Sequence, residues 1–226
     1  MIYKKYQKSI RMIGAVAGLF ILAACGDSGG TESSLVIDAD DLLAASFTVE
    51  GKSSGTWGDI VYGADDAPVT VIEYASLTCP HCATFANTIF PDLKKEFIDT
   101  GKIKFIYRNY IFNGSDMMAS TVARCRDMET TKRLMKVFFS RQSEWSRDQD
   151  LNGALASLVR RHANMSRAEF DRCASDREQM ANLTKMTQSA RDFRVASTPT
   201  VFVDGVSVDD YRWENLKAVL EKATAG

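Results

Sequence analysis

Two cysteines separated by two residues, Cys79 and Cys82, are the side chains of this sequence best suited to covalent chemistry. They enclose a proline and a histidine in the motif Cys-Pro-His-Cys. A pair at this spacing can close and reopen a disulfide between its own sulfurs, which is thiol–disulfide exchange. Exchange needs one thiol that is ionised at working pH, because the thiolate is the nucleophile. The neighbouring elements must therefore lower the pKa of one sulfur.

The sequence around the pair predicts a strand followed by a helix. Residues 69–76 form an apolar run that indicates a buried strand. A helix is predicted from Cys79 to about residue 97, with Pro80 in its first turn, where a missing N–H is tolerated. Unpaired N–H groups and the positive end of the helix dipole would then face the Cys79 sulfur. Both favour its thiolate form.

The later sequence continues as strand, helical block, hairpin and helix. Residues 102–109 alternate as a second strand, and residues 115–192 have helical spacing without strand-like runs. Strand character returns at residues 200–208, where Asp204-Gly205 marks a hairpin turn, and an amphipathic helix follows over residues 211–225. This order predicts an α/β protein with a thioredoxin fold interrupted by an α-helical insertion.

The first 24 residues have the pattern of an export signal. A basic region ends at Arg11, and the apolar stretch of residues 12–24 is too short to span a bilayer comfortably. The stretch ends in Leu-Ala-Ala-Cys-Gly, which resembles a bacterial lipoprotein signal and implies lipidation of Cys25. An ordinary secretory signal or an uncleaved anchor are alternatives. Each of the three would export the domain into an oxidising compartment.

Composition is that of an ordinary globular protein, with 226 residues, 45% hydrophobic and 25% charged. Four of the 28 basic residues and none of the 29 acidic residues precede Cys25, so the rest of the chain has a formal charge of −5. This balance argues against a nucleic-acid partner. No cluster with the spacing of a metal site is present. The expected organisation is a signal (1–24), a tether (25–57), a thioredoxin-fold domain (58–114 and 193–226) and the helical insertion (115–192).

Two separated motifs together resemble the DsbA family of bacterial periplasmic thiol oxidoreductases. Residues 73–82, Glu-Tyr-Ala-Ser-Leu-Thr-Cys-Pro-His-Cys, are similar to the family's active-site region. Residues 197–200, Ser-Thr-Pro-Thr, are similar to its second active-site strand, which enters through a cis proline. The resemblance covers residues from about 58 to 225. It is with DsbA-like lipoproteins that have one additional cysteine pair in the helical insertion.

The resemblance implies a role for each residue of the motif. Cys79 would be the exposed nucleophile, and the more buried Cys82 would resolve the mixed disulfide. Pro80 and His81 would set the redox poise, because an imidazolium beside a thiolate lowers the thiol pKa. A zinc site or a structural disulfide is the alternative for the two cysteines, and a surface position without a role is the alternative for His81.

Three further residues complete the expected site. Glu73, on the strand before the pair, would move a proton to or from Cys82, and burial would raise its pKa. A charge on the solvent face of the strand is the alternative. Pro199 is predicted to be cis and to leave an edge that pairs with an extended substrate, while Thr198 would contact the sulfur or the substrate. Many DsbA proteins of the simplest oxidase type have an apolar residue at this position, whereas isomerases often have threonine.

Two cysteines remain, Cys125 and Cys173, both in the helical block. In an oxidising compartment a structural disulfide between them is expected, and two unpaired buried thiols are the alternative.

Together these observations predict an exported dithiol oxidase that introduces disulfides into unfolded or reduced exported proteins. The Cys79–Cys82 disulfide would be its redox centre, and no separate cofactor or metal is expected. We expect it in the bacterial periplasm, anchored to a membrane through Cys25. The resemblance alone implies a membrane quinone-linked partner that reoxidises the pair. The alternatives are a disulfide isomerase or reductase on the same fold, a chaperone-like binding protein with incidental thiols, and a copper-handling protein.

Overall fold

A five-stranded mixed sheet organises residues 58–226, which are the residues that the computed structural model describes. Its strands are β1 (Ile60–Tyr62), β2 (Val69–Ala75), β3 (Ile103–Asn109), β4 (Thr200–Val203) and β5 (Val206–Val208). They lie in the order β1-β3-β2-β4-β5, with β2 and β3 parallel and every other pair antiparallel. The strand that precedes Cys79 is therefore the central strand.

Helices cover both faces of this sheet and fill the long connection between β3 and β4. The first, α1, runs over residues 80–98 directly after the cysteine-bearing loop. The others are α2 (Gly114–Ala123), α3 (Met128–Ser140), α4 (Gln142–Trp145), α5 (Leu151–Ala163), α6 (Arg167–Ala174), α7 (Arg177–Asp192) and α8 (Trp213–Thr224).

Helix α1 changes its winding ahead of a proline. Its Phe85–Ile89 segment is π-helical, and the Phe90 N–H donates to the Phe85 carbonyl, five residues earlier. In a regular α-helix the ring of Pro91 would clash with the carbonyl four residues before it. The wider turn gives that ring room, so the helix continues through the proline.

Each face of the sheet packs on different helices. Val71, Phe105 and Val201 belong to a core shared with α1 and α8, while Ile72 and Phe202 belong to a smaller core closed by the end of α7. Side chains alternate along a strand, so Glu73 lies on the same face as Val71, beneath α1. The predicted fold class, a thioredoxin fold with a helical insertion, is confirmed.

A disulfide joins two parts of the helical block. Cys125, just after α2, is bonded to Cys173 in α6, with a Cα–Cα distance of 5.6 Å. The sequence alternative of two free thiols is therefore wrong. The bond closes a loop that contains α3, α4 and α5, whose own core includes the buried Phe138 and Trp145.

Several sequence expectations differ from the structure or lie outside it. Strand β1 was not predicted, because three residues are too few to show alternation; it pairs with β3 through Ile60 and Tyr107. The expected signal, the tether and Cys25 lie outside the described residues. Within residues 58–226, the helices lack the length and apolar character needed to cross a membrane.

Replacing Cys125 and Cys173 together by alanine should lower the free energy of unfolding by about 3–4 kcal/mol, because the unfolded chain regains the entropy of a long loop. Urea unfolding without reductant measures this change. The single Cys125→Ala variant breaks the same bond and should lose a similar amount. An unchanged urea midpoint in the double variant would contradict the expectation.

Candidate active site

The cysteine pair lies where β2 has ended and α1 begins. Cys79 is the N-cap residue of the helix, with an extended backbone, and Pro80 is the first helical residue. Both thiols are free; Cys79 is half-buried, and Cys82 has no exposed surface. Only the Cys79 sulfur can therefore be reached by a large partner.

Hydrogen bonds at the helix start stabilise the Cys79 thiolate. The Cys82 thiol makes the largest contribution, and contacts with Thr198 and with the N–H groups of Cys82 and His81 add to it. Together they lower the pKa of Cys79 from 9.0 to about 5, although partial burial acts in the opposite direction. The His81 ring itself is exposed.

The second thiol has the opposite character. Burial raises the pKa of Cys82 well above its ordinary value, and the hydrogen bond to Cys79 and the charge of Glu73 raise it further. At neutral pH the first sulfur is therefore a thiolate, and the second is a thiol that donates to it.

Glu73 lies beneath this pair on the central strand. Its side chain is buried, and its backbone is in register with Tyr107 on β3 and Val201 on β4. Burial raises its pKa from 4.5 to about 8, and the negative charge of Cys79 adds to the shift. The alternative of a solvent-facing charge is wrong, because both faces of a central strand are covered.

Arg108, which follows Tyr107 on β3, lies on the face of the sheet opposite to Glu73. Arg108 is fully buried there, where its guanidinium donates to both oxygens of Asp59 at 2.9 Å and to the Tyr74 hydroxyl at 2.9 Å. On the Glu73 face the neighbour is Tyr107, whose hydroxyl donates to the Ala75 carbonyl at 3.1 Å.

The Thr198–Pro199 segment completes the wall beside Cys79. The peptide bond between these residues is cis, as the sequence predicts. In its protonated form, the Cys79 thiol donates to the Thr198 carbonyl at 3.3 Å. The Thr198 hydroxyl is buried beside the two sulfurs and contributes to the lowered pKa of Cys79, and it has no further hydrogen-bond partner within residues 58–226. It is therefore available to a sulfur or to a bound chain.

Two polar residues of the helical block hold the loop that carries Cys79, and sequence reasoning missed both. Asp116 accepts from the Ser76 hydroxyl at 2.6 Å and from the Leu77 N–H at 3.0 Å. Gln142 donates from its Nε2 to the carbonyls of Leu77, at 2.8 Å, and of Cys79, at 2.9 Å. The insertion thus fixes the backbone of the exposed cysteine.

Neither residue carries a sequence signal for this role. Asp116 stands in the first turn of α2, where acidic residues are common, and its burial is a tertiary effect. That burial raises its pKa from 3.8 to about 6, against the opposing effect of the hydrogen bonds from Ser76, Phe112 and Leu77. Gln142 lies on a four-residue helix without periodicity.

The alternative of a zinc site at Cys79 and Cys82 requires further metal ligands close to the two cysteines. Among residues 58–226, no group of three or more His, Cys, Asp or Glu side chains is arranged to hold a metal ion. Cys125 and Cys173 are bonded to each other and so offer no thiolate.

Comparison with protein families agrees with this geometry. The family model described as thioredoxin matches residues 56–222, which is most of the chain. The chain belongs to the thioredoxin family.

Two solved structures are similar to this chain over most of their length. The chain is similar to alpha-DsbA1 from Wolbachia pipientis, with 25% identity and a TM-score of 0.68 over 74% of this chain and 91% of that chain. It is equally similar to oxidised BdbD from Bacillus subtilis, with 25% identity and a TM-score of 0.68 over 74% of this chain and 94% of that chain. The fold is therefore of the DsbA type.

Curated relatives carry matching names. One from Rickettsia bellii, named "Putative protein-disulfide oxidoreductase", is 32% identical over 170 residues, 73% of this chain and 64% of that protein. "Disulfide bond formation protein D" from Bacillus subtilis is 28% identical over 175 residues, 75% of this chain and 78% of that protein. The chain thus spans slightly less than two thirds of the length of the Rickettsia bellii relative.

Glu73→Gln should stabilise the reduced protein at alkaline pH. A raised pKa means that the carboxyl's contribution to stability is complete below its unfolded pKa and is lost as pH rises through about 8. Glutamine has nearly the same shape and does not ionise. The variant should gain on the wild type, on the order of 2–4 kcal/mol by pH 9. Urea unfolding at pH 4, 7 and 9 tests this, and parallel pH profiles would refute it.

Gln142→Met should loosen the cysteine-bearing loop. Two carbonyls, of Leu77 and Cys79, lose their donor, which should cost about 1–3 kcal/mol in the free energy of unfolding. Amide hydrogen exchange of residues 76–79 should become faster. Ser143→Ala, an exposed change on the same short helix, is the control and should leave both measurements unchanged. If the two variants behave alike, Gln142 does not hold the loop.

Proposed function

We propose that this protein is a thiol–disulfide oxidoreductase that introduces disulfides into other proteins through Cys79 and Cys82. The observation that carries the proposal is the asymmetry of the pair. The pKa of the accessible Cys79 is lowered to about 5, while burial raises that of Cys82. The names of the relatives and the DsbA-type fold support the same activity.

In the first step, a substrate thiolate attacks the Cys79 sulfur of the Cys79–Cys82 disulfide. The bond between the two enzyme sulfurs breaks, a mixed disulfide forms on Cys79, and Cys82 leaves with the electron pair. Glu73, with a pKa of about 8, is largely protonated at neutral pH and is the proposed proton donor to the Cys82 sulfur.

In the second step, another thiolate of the substrate attacks the substrate sulfur of the mixed disulfide. The substrate leaves oxidised, and Cys79 departs as a thiolate. Its low pKa makes it a good leaving group, and the two electrons remain on the reduced pair. Because the thiolate is stabilised in the folded protein, the reduced state is favoured over the disulfide, so the pair is an oxidant.

Substrate would lie along the Thr198–Pro199 wall. The buried Thr198 hydroxyl can donate to a sulfur there, and Pro199 has no N–H to occupy the edge of the site. Phe112, which is 52% exposed, is a candidate contact for apolar substrate groups. It adjoins Asn113, whose Nδ2 donates to the Thr78 hydroxyl at 3.3 Å.

The proposal extends to cellular context on sequence grounds. The signal-like first 24 residues support export, and the motif before Cys25 supports a lipid anchor in the bacterial periplasm. Reoxidation by a membrane quinone-linked partner is proposed from the resemblance to the DsbA family.

The decisive experiment equilibrates the Cys79–Cys82 pair with glutathione, while mass mapping follows Cys125 and Cys173 separately. We expect a potential well above the roughly −270 mV of a reducing thioredoxin. A thioredoxin-like potential would instead favour the reductase or isomerase alternative, which the threonine at position 198 supports. An absence of reversible redox change would leave the binding-protein alternative.

A pH titration of thiolate absorbance in the reduced protein gives an independent test. Half of the Cys79 signal should be lost near pH 5. A depressed pKa stabilises the folded reduced state fully above the unfolded pKa, and that stabilisation is lost as pH falls through about 5. The stability advantage of reduced over oxidised protein should therefore shrink between about pH 9 and pH 5. Cys79→Ser, which removes the signal, is the control.

A further inference from the structure

A cavity of about 720 Å³ opens between α1 and α3, and the lining does not include Cys79, Cys82 or Thr198. We call it the α1–α3 groove. Its walls are largely aromatic and aliphatic, and Glu73 lies among its lining residues. The apolar lining includes Tyr62, Phe90, Phe105, Met135 and Phe139.

The aromatic side chains of the groove are packed against one another. The ring of Tyr62 lies 5.0 Å from that of Phe90 and 6.0 Å from that of Phe105. Both α1 and β1 contribute, so the groove is formed by elements fixed in the sheet core. An apolar occupant would therefore bind without a large rearrangement.

Four basic residues and two acidic residues line the groove besides Glu73. Lys94 is paired with Asp99, and Lys132 is 3.5 Å from Glu129 and lies over the Tyr62 ring. The other two bases, Arg133 and Lys136, are exposed, and the Arg133 guanidinium donates to a neutral threonine hydroxyl at 3.1 Å. The groove thus favours an occupant that is both apolar and acidic.

The chain itself supplies such a segment. Residues 35–43 read Leu-Val-Ile-Asp-Ala-Asp-Asp-Leu-Leu, with five large apolar residues, three acids and no base. The first described residue, Gly58, is close in sequence to Tyr62 and Gly63, which line the groove. The 14 residues from 44 to 57 can span up to about 45–50 Å, which is ample reach.

We propose that residues 35–43 dock in the α1–α3 groove of the same chain. Their apolar side chains would pack on Phe90 and Phe139, and their carboxylates would face Arg133 and Lys136. The proposal uses neither Cys79 nor Cys82, so it stands or fails independently of the redox function.

Photo-crosslinking of the full chain in detergent tests this contact. Benzoylphenylalanine at position 87, an exposed site on the groove that carries no charge, should crosslink to peptides within residues 30–50. The same probe at position 160, exposed on α5, is the matched control and should not. Crosslinking an equal mixture of ¹⁴N- and ¹⁵N-labelled protein separates contacts within a chain from contacts between chains. Products that join two chains, or no product with residues 30–50, would overturn the proposal.

A charge exchange tests the specificity of the contact. With the probe at position 87, Arg133→Glu should reduce the crosslink yield at least fivefold, because it places a negative charge against Asp38, Asp40 and Asp41. Adding Asp40→Arg and Asp41→Arg should restore the yield. Arg133 is exposed, so the fold should survive, and thermal unfolding verifies this. If neither change alters the crosslink yield, the carboxylates of residues 35–43 do not direct the docking, and the proposal is refuted.

Discussion

The Cys79 thiolate depends on a thiol that is held out of water one helical turn away. The Cys82 thiol can donate to the first sulfur only while it remains protonated, and burial ensures that it does. That burial requires α1 to lie flat on the sheet, with Cys82 facing inward. The packing of α1 on the central strands is therefore a condition for the chemistry at its first turn.

The site is also held from outside the sheet. Asp116 and Gln142 belong to the helical block, yet they bind the loop between β2 and α1 from both its N–H and its carbonyl side. These contacts add to the loop's own hydrogen bonds, in which the Cys79 N–H donates to the Ser76 carbonyl at 3.2 Å and the Thr78 N–H to the Ser76 hydroxyl at 3.1 Å. The insertion acts on the site through these backbone contacts and leaves the approach to the sulfur open.

Much of this arrangement can be predicted from the sequence, and the features that cannot be predicted each have a physical reason. The period of apolar residues predicts β2, α1 and the final hairpin, and the Cys-Pro-His-Cys spacing predicts the reactive pair. The apolar pattern cannot show on which face of the sheet Glu73 lies, because a central strand is apolar on both faces and shows no alternation. The contacts of Asp116 and Gln142 span 39 and 65 residues, and no local pattern encodes them.

The disulfide in the helical insertion must persist in a protein that also carries a reactive thiolate. Such a sulfur can attack any accessible disulfide, including one in its own chain, and would then scramble its own covalent structure. Cys173 is almost completely buried, and Cys125 is partly covered. Exposure alone does not separate the permanent bond from the transient one, because each joins a buried sulfur to a partly covered one. The difference is that Cys79 lies at the start of a helix, where its thiolate is stabilised. The exchanging pair is therefore set apart by the place of its accessible sulfur in the fold.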